Sequence, residues 1–312
     1  MEYVHQMQAH YRTYITACHI LHHQRVLSAE GDLSFRHPTR PDVFIMPRNL
    51  PAACVASESD LIEYSVTTGL PLDPTATVTS SSSPGTNISA NVNLNPERFI
   101  HSEIYKQYPR IHSVLHSHSP SLIPYTITRV RLRPCTPASS FLRACGPPVF
   151  DAANYLPPTA PHHNLLITSE RLGRKLAYRF SQGDVVALMR GHGFTVVGGS
   201  VEECVWRAVQ VQRNAEVQTA AMGVQADARA VGSFVQDATV GVHYLSKVEA
   251  EGDNGGGGGE VGGRSQGSAS QGAVGAGGQG GGLGEEEGEV KRAWELWERE
   301  VKAMGGLYVN SV

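Results

Sequence analysis

The sequence predicts an α/β or α+β domain in which helices cover a mixed sheet. Three observations carry that expectation. Apolar residues recur every three to four positions in several long segments, as on one face of a helix. Between them lie short apolar or alternating runs of strand length, bounded by glycine and proline. The two kinds of segment alternate without the strict rhythm of repeated βαβ units, so the sheet is expected to be mixed.

Residues 1 to about 30 read as the first helix, with Tyr11, Tyr14, Ile15, Cys18 and Leu21 at helical spacing and Gly31 placed as a stop. Leu33–Arg36 and Val43–Met46 read as strands, the second closed by Pro47, and Asp60–Ser65 as a strand or short helix. The polar, serine-rich stretch Thr77–Asn95 reads as an exposed loop or insertion. Pro96 opens a helix through about Tyr108, because proline suits the first helical turn. Pro109 ends it, and Ile111–His118 follows as a strand with Ile111, Ser113 and Leu115 on one face. His112, Val114, His116 and His118 fall on the other.

Downstream, Leu165–Ser169 reads as a strand or loop, Arg171–Gln182 as a helix, and Val185–Met189 and Phe194–Val197 as strands parted by Gly191-His192-Gly193. Ser200 with Glu203 forms a capping box for a long helix through about Met222. Val290, Ala293, Trp297, Val301 and Met304 make one apolar stripe on a terminal helix. Tyr105 and Trp206 are spaced as core residues. His101 is expected to pack or cap, and the pairs His22-His23 and His162-His163 to be solvated.

The chain has 312 residues and 33 glycines, of which 18 fall between Gly252 and Gly288. That window has almost no apolar side chains and cannot offset its ordering entropy by burial. The sequence therefore divides into a domain over residues 1–250, a glycine-rich disordered linker or insertion over 251–288, and a helix over 289–312 that docks on the domain. With 26 basic and 29 acidic residues and a net charge of −3, no basic stripe is available for a nucleic acid or an anionic membrane. Five scattered cysteines with no C-x-x-C point to reduced thiols in a cytosolic protein. The N-terminus lacks a signal-like apolar core and no run is long enough to span a membrane, so a cytoplasmic location is expected.

Chemistry concentrates in the histidines. His116 and His118, at i and i+2 of a strand, project to one side with Cβ atoms roughly 6.5–7 Å apart. They can grip one cation together, with His192 as third ligand, because its flanking glycines let other groups approach closely. Three neutral imidazoles with an open position is the pattern of a catalytic zinc site. Glu97, in the first turn of the preceding helix, can supply a carboxylate beside it. The same H-x-H spacing also arises by chance among core or surface histidines.

Residues 97–120, ERFIHSEIYKQYPRIHSVLHSHSP, resemble the central motif of the class II aldolase/adducin family. A glutamate opens a helix, H-x-x-x-Y and a proline follow, and H-x-H ends the strand. Two further motifs stand in the family's order: Gly31-Asp32-Leu33-Ser34 after the first helix, and a strand, His192-Gly193 and a long helix downstream. The resemblance covers residues 10 to about 225. It implies a three-layer αβα sandwich with a mixed central sheet, and a catalytic domain over residues 1–250. It also implies that His116, His118 and His192 bind a divalent metal, zinc first, with manganese or magnesium as alternatives. Glu97 is then the acid/base residue, the partner is a small-molecule substrate, and the assembly is a homotetramer. Adducin shows that the fold also survives as a non-catalytic interaction module, but all four positions are intact here.

The substrate is where the sequence departs from sugar-phosphate aldolases. Their phosphate-holding asparagine, T-G and paired serines are matched here by Asp32, Arg48-Asn49 and Asn95-Pro96. An acidic Asp32 repels phosphate, and proline cannot donate a backbone N–H. No tyrosine stands in Arg133–Ala138 to serve as their proton donor. HSHSPSLIPY followed by RLRP resembles instead a subgroup with decarboxylases of aromatic-degradation intermediates, although those carry a histidine where this chain has Pro137. The implied activity is a metal-dependent carbon–carbon lyase, a decarboxylase of a small hydroxy- or oxo-acid ahead of an aldolase. Arg48 and Arg133 are candidate carboxylate clamps, against surface salt bridges as the plainer alternative, and Ser34 is a candidate substrate contact.

Overall fold

Short apolar runs become strands because both of their faces are covered. The computed structural model of the chain describes residues 2–73, 94–156, 164–230, 241–251 and 283–312. In chain order the elements are α1 (Glu2–His23), β1 (Asp32–Arg36), β2 (Val43–Pro47), β3 (Leu61–Ser65), α2 (Arg98–Gln107) and β4 (Ser113–Ser117). Then come α3 (Ile123–Ile127), β5 (Val149–Phe150), α4 (Glu170–Ala177), β6 (Val186–Met189), β7 (Gly193–Gly198), α5 (Val201–Ala230), α6 (Lys247–Glu251) and α7 (Leu283–Ala303).

Among the described residues the strands form one sheet in the order β3-β2-β1-β4-β7-β6-β5. Only β5 and β6 pair in parallel; every other neighbouring pair is antiparallel. The period of two sorts neighbouring side chains to opposite cores. Leu115 of β4 packs with Tyr14, Leu21, Phe194, Val205 and Trp297, under α1, α5 and α7. Val114 packs with Phe44, Ile100, Ile104 and Leu172, under α2 and α4. The result is the three-layer sandwich with a mixed sheet.

Most of the expected elements form, and the departures have local causes. Helix α1 stops at His23 because Arg25 takes a left-handed φ of 60° and turns the chain. Gly31, with φ of 88°, instead serves the entry to β1, where a Cβ would come within 2.8 Å of the His116 carbonyl oxygen. Of the expected exposed loop Thr77–Asn95, residues up to 93 lie outside the described residues, and Leu94 and Asn95 are buried. Residues 165–169 form no strand. Helix α4 ends at Ala177 in a short 3-10 turn over Tyr178–Phe180. Helix α5 runs beyond Met222 to Ala230, its start capped by the Ser200 hydroxyl, which accepts from the Glu203 N–H at 3.1 Å.

The terminal helix begins at Leu283, inside the stretch expected to be linker; residues 252–282 lie outside the described residues. Trp297 and Val301 are buried against the α1/α5 face, while Met304 is exposed. His22 and His23 are not solvated as expected. The residues after α7 fold back so that Tyr308 Oη meets His22 Nδ1 at 2.9 Å, and Glu300 lies 3.4 Å from His23. His162 and His163 lie outside the described residues. Among the described residues no helix is long and apolar enough to cross a membrane.

Candidate functional site

Four side chains from three places in the sequence meet at one edge of the sheet. His116 is on β4 and His118 just past its end; His192 sits in the turn between β6 and β7; Glu97 precedes the first residue of α2. Antiparallel pairing of β4 with β7 sets Ser117 opposite Phe194, which brings the β6–β7 turn beside the end of β4. Gly191, with φ of 62°, makes that turn, and Thr126 Oγ1 accepts its N–H at 3.0 Å. The ligand atoms of Glu97, His116, His118 and His192 all lie within 4.8 Å of one another.

His118 Nε2 lies 2.9 Å from His116 Nε2 and 3.1 Å from His192 Nε2. Glu97 Oε2 is 3.5 Å from His116 Nε2, 3.6 Å from His118 Nε2 and 3.3 Å from His192 Nε2. The far nitrogens decide what these inward atoms carry. His116 Nδ1 faces the Phe194 carbonyl at 3.1 Å, and His118 Nδ1 faces Glu30 Oε2 at 3.0 Å. Both oxygens can only accept, so both Nδ1 atoms donate and the neutral rings present bare lone pairs at Nε2. Two lone pairs 2.9 Å apart repel unless a cation lies between them. A tetrahedral zinc with Zn–N of about 2.0–2.1 Å spaces its ligands about 3.3–3.4 Å apart. The two imidazole N···N separations fall a few tenths of an ångström below that value and the Glu97 oxygen distances at or just above it, so three lone pairs and a carboxylate gathered this closely fit a divalent cation. His192 Nδ1, buried without a partner among the described residues, is the exception to the supporting hydrogen bonds.

Glu97 is itself tightly held. Burial alone would raise its carboxyl; positive charge at the facing histidines, His116 foremost, takes it well below the usual carboxylate range, and with the rings neutral that charge would be a bound cation's. Its Oε1 accepts the Ile167 N–H at 2.8 Å, which leaves Oε2 as the oxygen facing the histidines. Its backbone N–H donates to Asn95 Oδ1 at 2.7 Å, and the Asn95 amide donates to Asp32 Oδ2. Asp32 lies opposite His116 in the β1–β4 register. Burial, with the charge of Glu97 adding, pushes the Asp32 carboxyl up to about 6 against the opposing Asn95 hydrogen bond. A cavity of about 180 Å³ opens beside Glu97 and His118, lined also by Glu30, Asp32, Asn49 and Leu166.

The other candidates from the sequence lie outside this cavity. Ser34 is fully buried beneath it, its hydroxyl hydrogen-bonded with His101 Nδ1 at 2.7 Å and with Tyr105 Oη at 2.8 Å. Those partners leave it a packing role, joined to His101, whose burial pushes its imidazole down to about 3. Arg48 donates from Nε to the Ser59 carbonyl at 2.7 Å, and its neighbours Asn49 and Leu50 line the cavity in its place. Arg133 stacks its guanidinium over Tyr244 at 5.2 Å from the ring centre, beside α5. Neither arginine is among the described residues that line the cavity beside the histidines. Sequence reasoning missed Glu30 as a site residue, and it placed Asn95 only at a phosphate-holding position, without its bridge from Asp32 to Glu97. Glu30 carries no motif, and Asn95 was hidden in a polar stretch; only the strand register shows whom they touch.

Comparison with known proteins shows the family and the fold. The model of the class II aldolase and adducin N-terminal domain family matches residues 12–219. The chain is 40% identical over 306 residues to decarboxylase tropJ of Talaromyces stipitatus, covering 96% of each chain. It is 29% identical over 116 residues to the 3,4-dihydroxyphthalate decarboxylase of Arthrobacter keyseri, covering 36% of this chain and 42% of that one. Among solved structures, an aldolase II superfamily protein from Pseudomonas syringae superposes with a TM-score of 0.57 at 17% identity, over 96% of this chain and 94% of that one. The L-fuculose 1-phosphate aldolase of Glaciozyma antarctica superposes with a TM-score of 0.50 at 18% identity, over 77% and 78%. By the span of the family match and the identity to its relative, the chain belongs to the class II aldolase and adducin N-terminal domain family.

Proposed function

We propose that the chain is a metal-dependent carbon–carbon lyase that decarboxylates a small hydroxy- or oxo-acid of the aromatic or ring-cleavage type. The observation that carries this reading is the convergence of three imidazole Nε2 atoms and Glu97 Oε2 on one point beside a small cavity. The decarboxylase relatives support the reaction type. His116, His118 and His192 would hold a divalent cation, zinc first, with manganese or magnesium as alternatives. When bound, the cation supplies positive charge against the negative charge that develops on substrate oxygen as the carbon–carbon bond breaks.

The residues of the chain do the rest. CO₂ leaves without the bonding electron pair, and the carbon that keeps the pair takes up a proton. Glu97 is ionised and fixed through Oε1 and its backbone N–H. Its Oε2 is therefore placed to take a proton from a substrate hydroxyl or water and return it to that carbon. Asn95 holds the start of α2 in register with β1, so the carboxylate does not drift from the histidines.

Aldol cleavage of a sugar phosphate is the second reading. The cavity lining argues against it: Glu30, Asp32 and Glu97 contribute carboxylates, and no lysine or arginine is among the described lining residues. A non-catalytic adducin-like role leaves the converged ligand set without a purpose. We infer a homotetramer from family resemblance and a cytoplasmic location from the scattered thiols. The decisive experiment incubates metal-loaded protein with catechol-type carboxylates, ring-cleavage semialdehydes and sugar phosphates. CO₂ release from an acid is expected; aldehyde from a sugar phosphate with no CO₂ from any acid overturns the reading. Metal analysis should find about one ion per chain, lost in His116→Ala.

A further inference from the structure

Asp32 is one of three carboxylates, with Glu30 and Glu97, that line the cavity. The structure shows what holds that charge. Strand β1 sets Asp32 opposite His116, and the residue lines the cavity together with Glu97 and His118. The Asn95 amide donates to Oδ2, while the same Asn95 side chain accepts the Glu97 N–H through Oδ1. The orientation of the amide is thus unambiguous, because its oxygen faces a donor and its nitrogen a carboxylate. Asp32 Oδ1 has no hydrogen-bond partner among the described residues. One asparagine therefore positions both carboxylates, and one Asp32 oxygen keeps its full accepting capacity.

We propose that Asp32 is the specificity-determining residue of this cavity, its carboxylate accepting a hydrogen bond from a hydroxyl of the substrate. The inference rests on the reading that the cavity takes a small acid, and it names the class: a single-ring acid bearing a free hydroxyl besides the one next to its carboxylate. At about 180 Å³ the cavity is on the scale of the roughly 150 Å³ void that holds benzene, so one substituted ring fills it. A hydroxyl is a neutral donor and satisfies Asp32. A phosphate brings negative charge and no donor against Glu30, Asp32 and Glu97. A ring lacking the second hydroxyl leaves a partly buried carboxylate oxygen unpaired, and sites built to bind a hydroxyl reject such analogues strongly.

The test is calorimetric binding to zinc-loaded protein, wild type and Asp32→Asn, with 2,3-dihydroxybenzoate, salicylate and inorganic phosphate as probes. Wild type should bind the dihydroxy acid about tenfold or more tightly than salicylate, as expected of a hydrogen bond to a charged group. In Asp32→Asn that preference should collapse, and phosphate should bind more tightly than to wild type. Equal binding of the two acids by wild type overturns the proposal, as does a preference that survives Asp32→Asn with zinc retained. If Asp32→Asn loses zinc or unfolds, Asp32→Ala is measured in its place, with the same two outcomes. Failure of the two ideas is separable. Hydroxyl-dependent binding that is lost on substituting Asp32, with no CO₂ released from any acid, removes the lyase reading and keeps Asp32 in its role. CO₂ release with hydroxyl-independent binding does the reverse.

Discussion

A Cβ added at Gly193 would lie 2.0 Å from the carbonyl oxygen of Ser117. Strands β4 and β7 therefore touch backbone to backbone at the point where one carries His116 and runs out into His118 and the other begins beside His192. Glycine at this position sets the spacing of the ligands as much as it sets the sheet.

Gly193→Ala should force the two strands apart. The expected cost is about 1–3 kcal/mol of stability, typical of overpacking, together with loss of bound metal. Thermal unfolding and metal analysis of the same preparation check it. Unchanged metal content would show that the turn carrying His192 adjusts independently of β4.

Glu30→Ala removes the carboxylate that accepts from His118 Nδ1. Metal affinity should fall about 10–100-fold, the usual effect of losing a partner that orients a ligand. Glu30→Gln keeps an accepting oxygen and should restore most of it. The competition assay is against a chromogenic chelator, and equal affinity in Glu30→Ala and wild type would remove Glu30 from this positioning role.

Glu97→Gln keeps the shape of the side chain and removes its charge. Turnover should drop by about 10²–10⁴-fold, the range of a lost acid/base group, with the three histidines still holding metal. Steady-state rates on the substrate identified by CO₂ release, set beside metal content, test this. Retained turnover would require another proton carrier.

Acid should destabilise the fold through His101. Burial pushes its imidazole down from 6.5 to about 3. The unfolded chain then binds the proton that the folded chain refuses. Stability from this residue is complete above pH 6.5 and is lost as pH falls toward 3, at up to about 1.4 kcal/mol per pH unit. Unfolding free energies of wild type and His101→Gln, measured from pH 7.5 to 4.5, should converge as pH falls. A constant difference would mean that His101 does not change its charge on unfolding.

The thiols should divide by burial. Cys54 and Cys145 are exposed and should react with a disulfide reagent within the mixing phase, and the half-buried Cys135 more slowly. Burial pushes the thiols of Cys18 and Cys204 up to about 12, so both should stay unreacted until denaturant is added. Fast reaction of Cys18 or Cys204 in the native protein would show that α1 or α5 opens.

What the sequence determined by itself was local and periodic. The alternation around Leu115 and Val114 was legible because strand side chains point to opposite cores, and the stripe through Trp297 and Val301 because one helix face is apolar. That His116, His118 and His192 come together was legible from the H-x-H spacing and the glycines flanking His192, and Glu97 beside them from its place at the start of the preceding helix and from the family resemblance. Ser34, Arg48 and Arg133 were chosen by residue type, and type does not say what a side chain touches. Ser34 lies beneath the cavity with His101 and Tyr105, and Arg133 is stacked on Tyr244. Only the tertiary structure decided that Asn95 bridges Asp32 and Glu97, that Glu30 orients His118, and that the tail after α7 returns to His22. Each of those pairings joins residues far apart in the chain or hidden in irregular segments, where no repeat constrains direction. Such contacts follow from strand register and from where the backbone groups of loops find partners, and neither is written in the order of the residues alone.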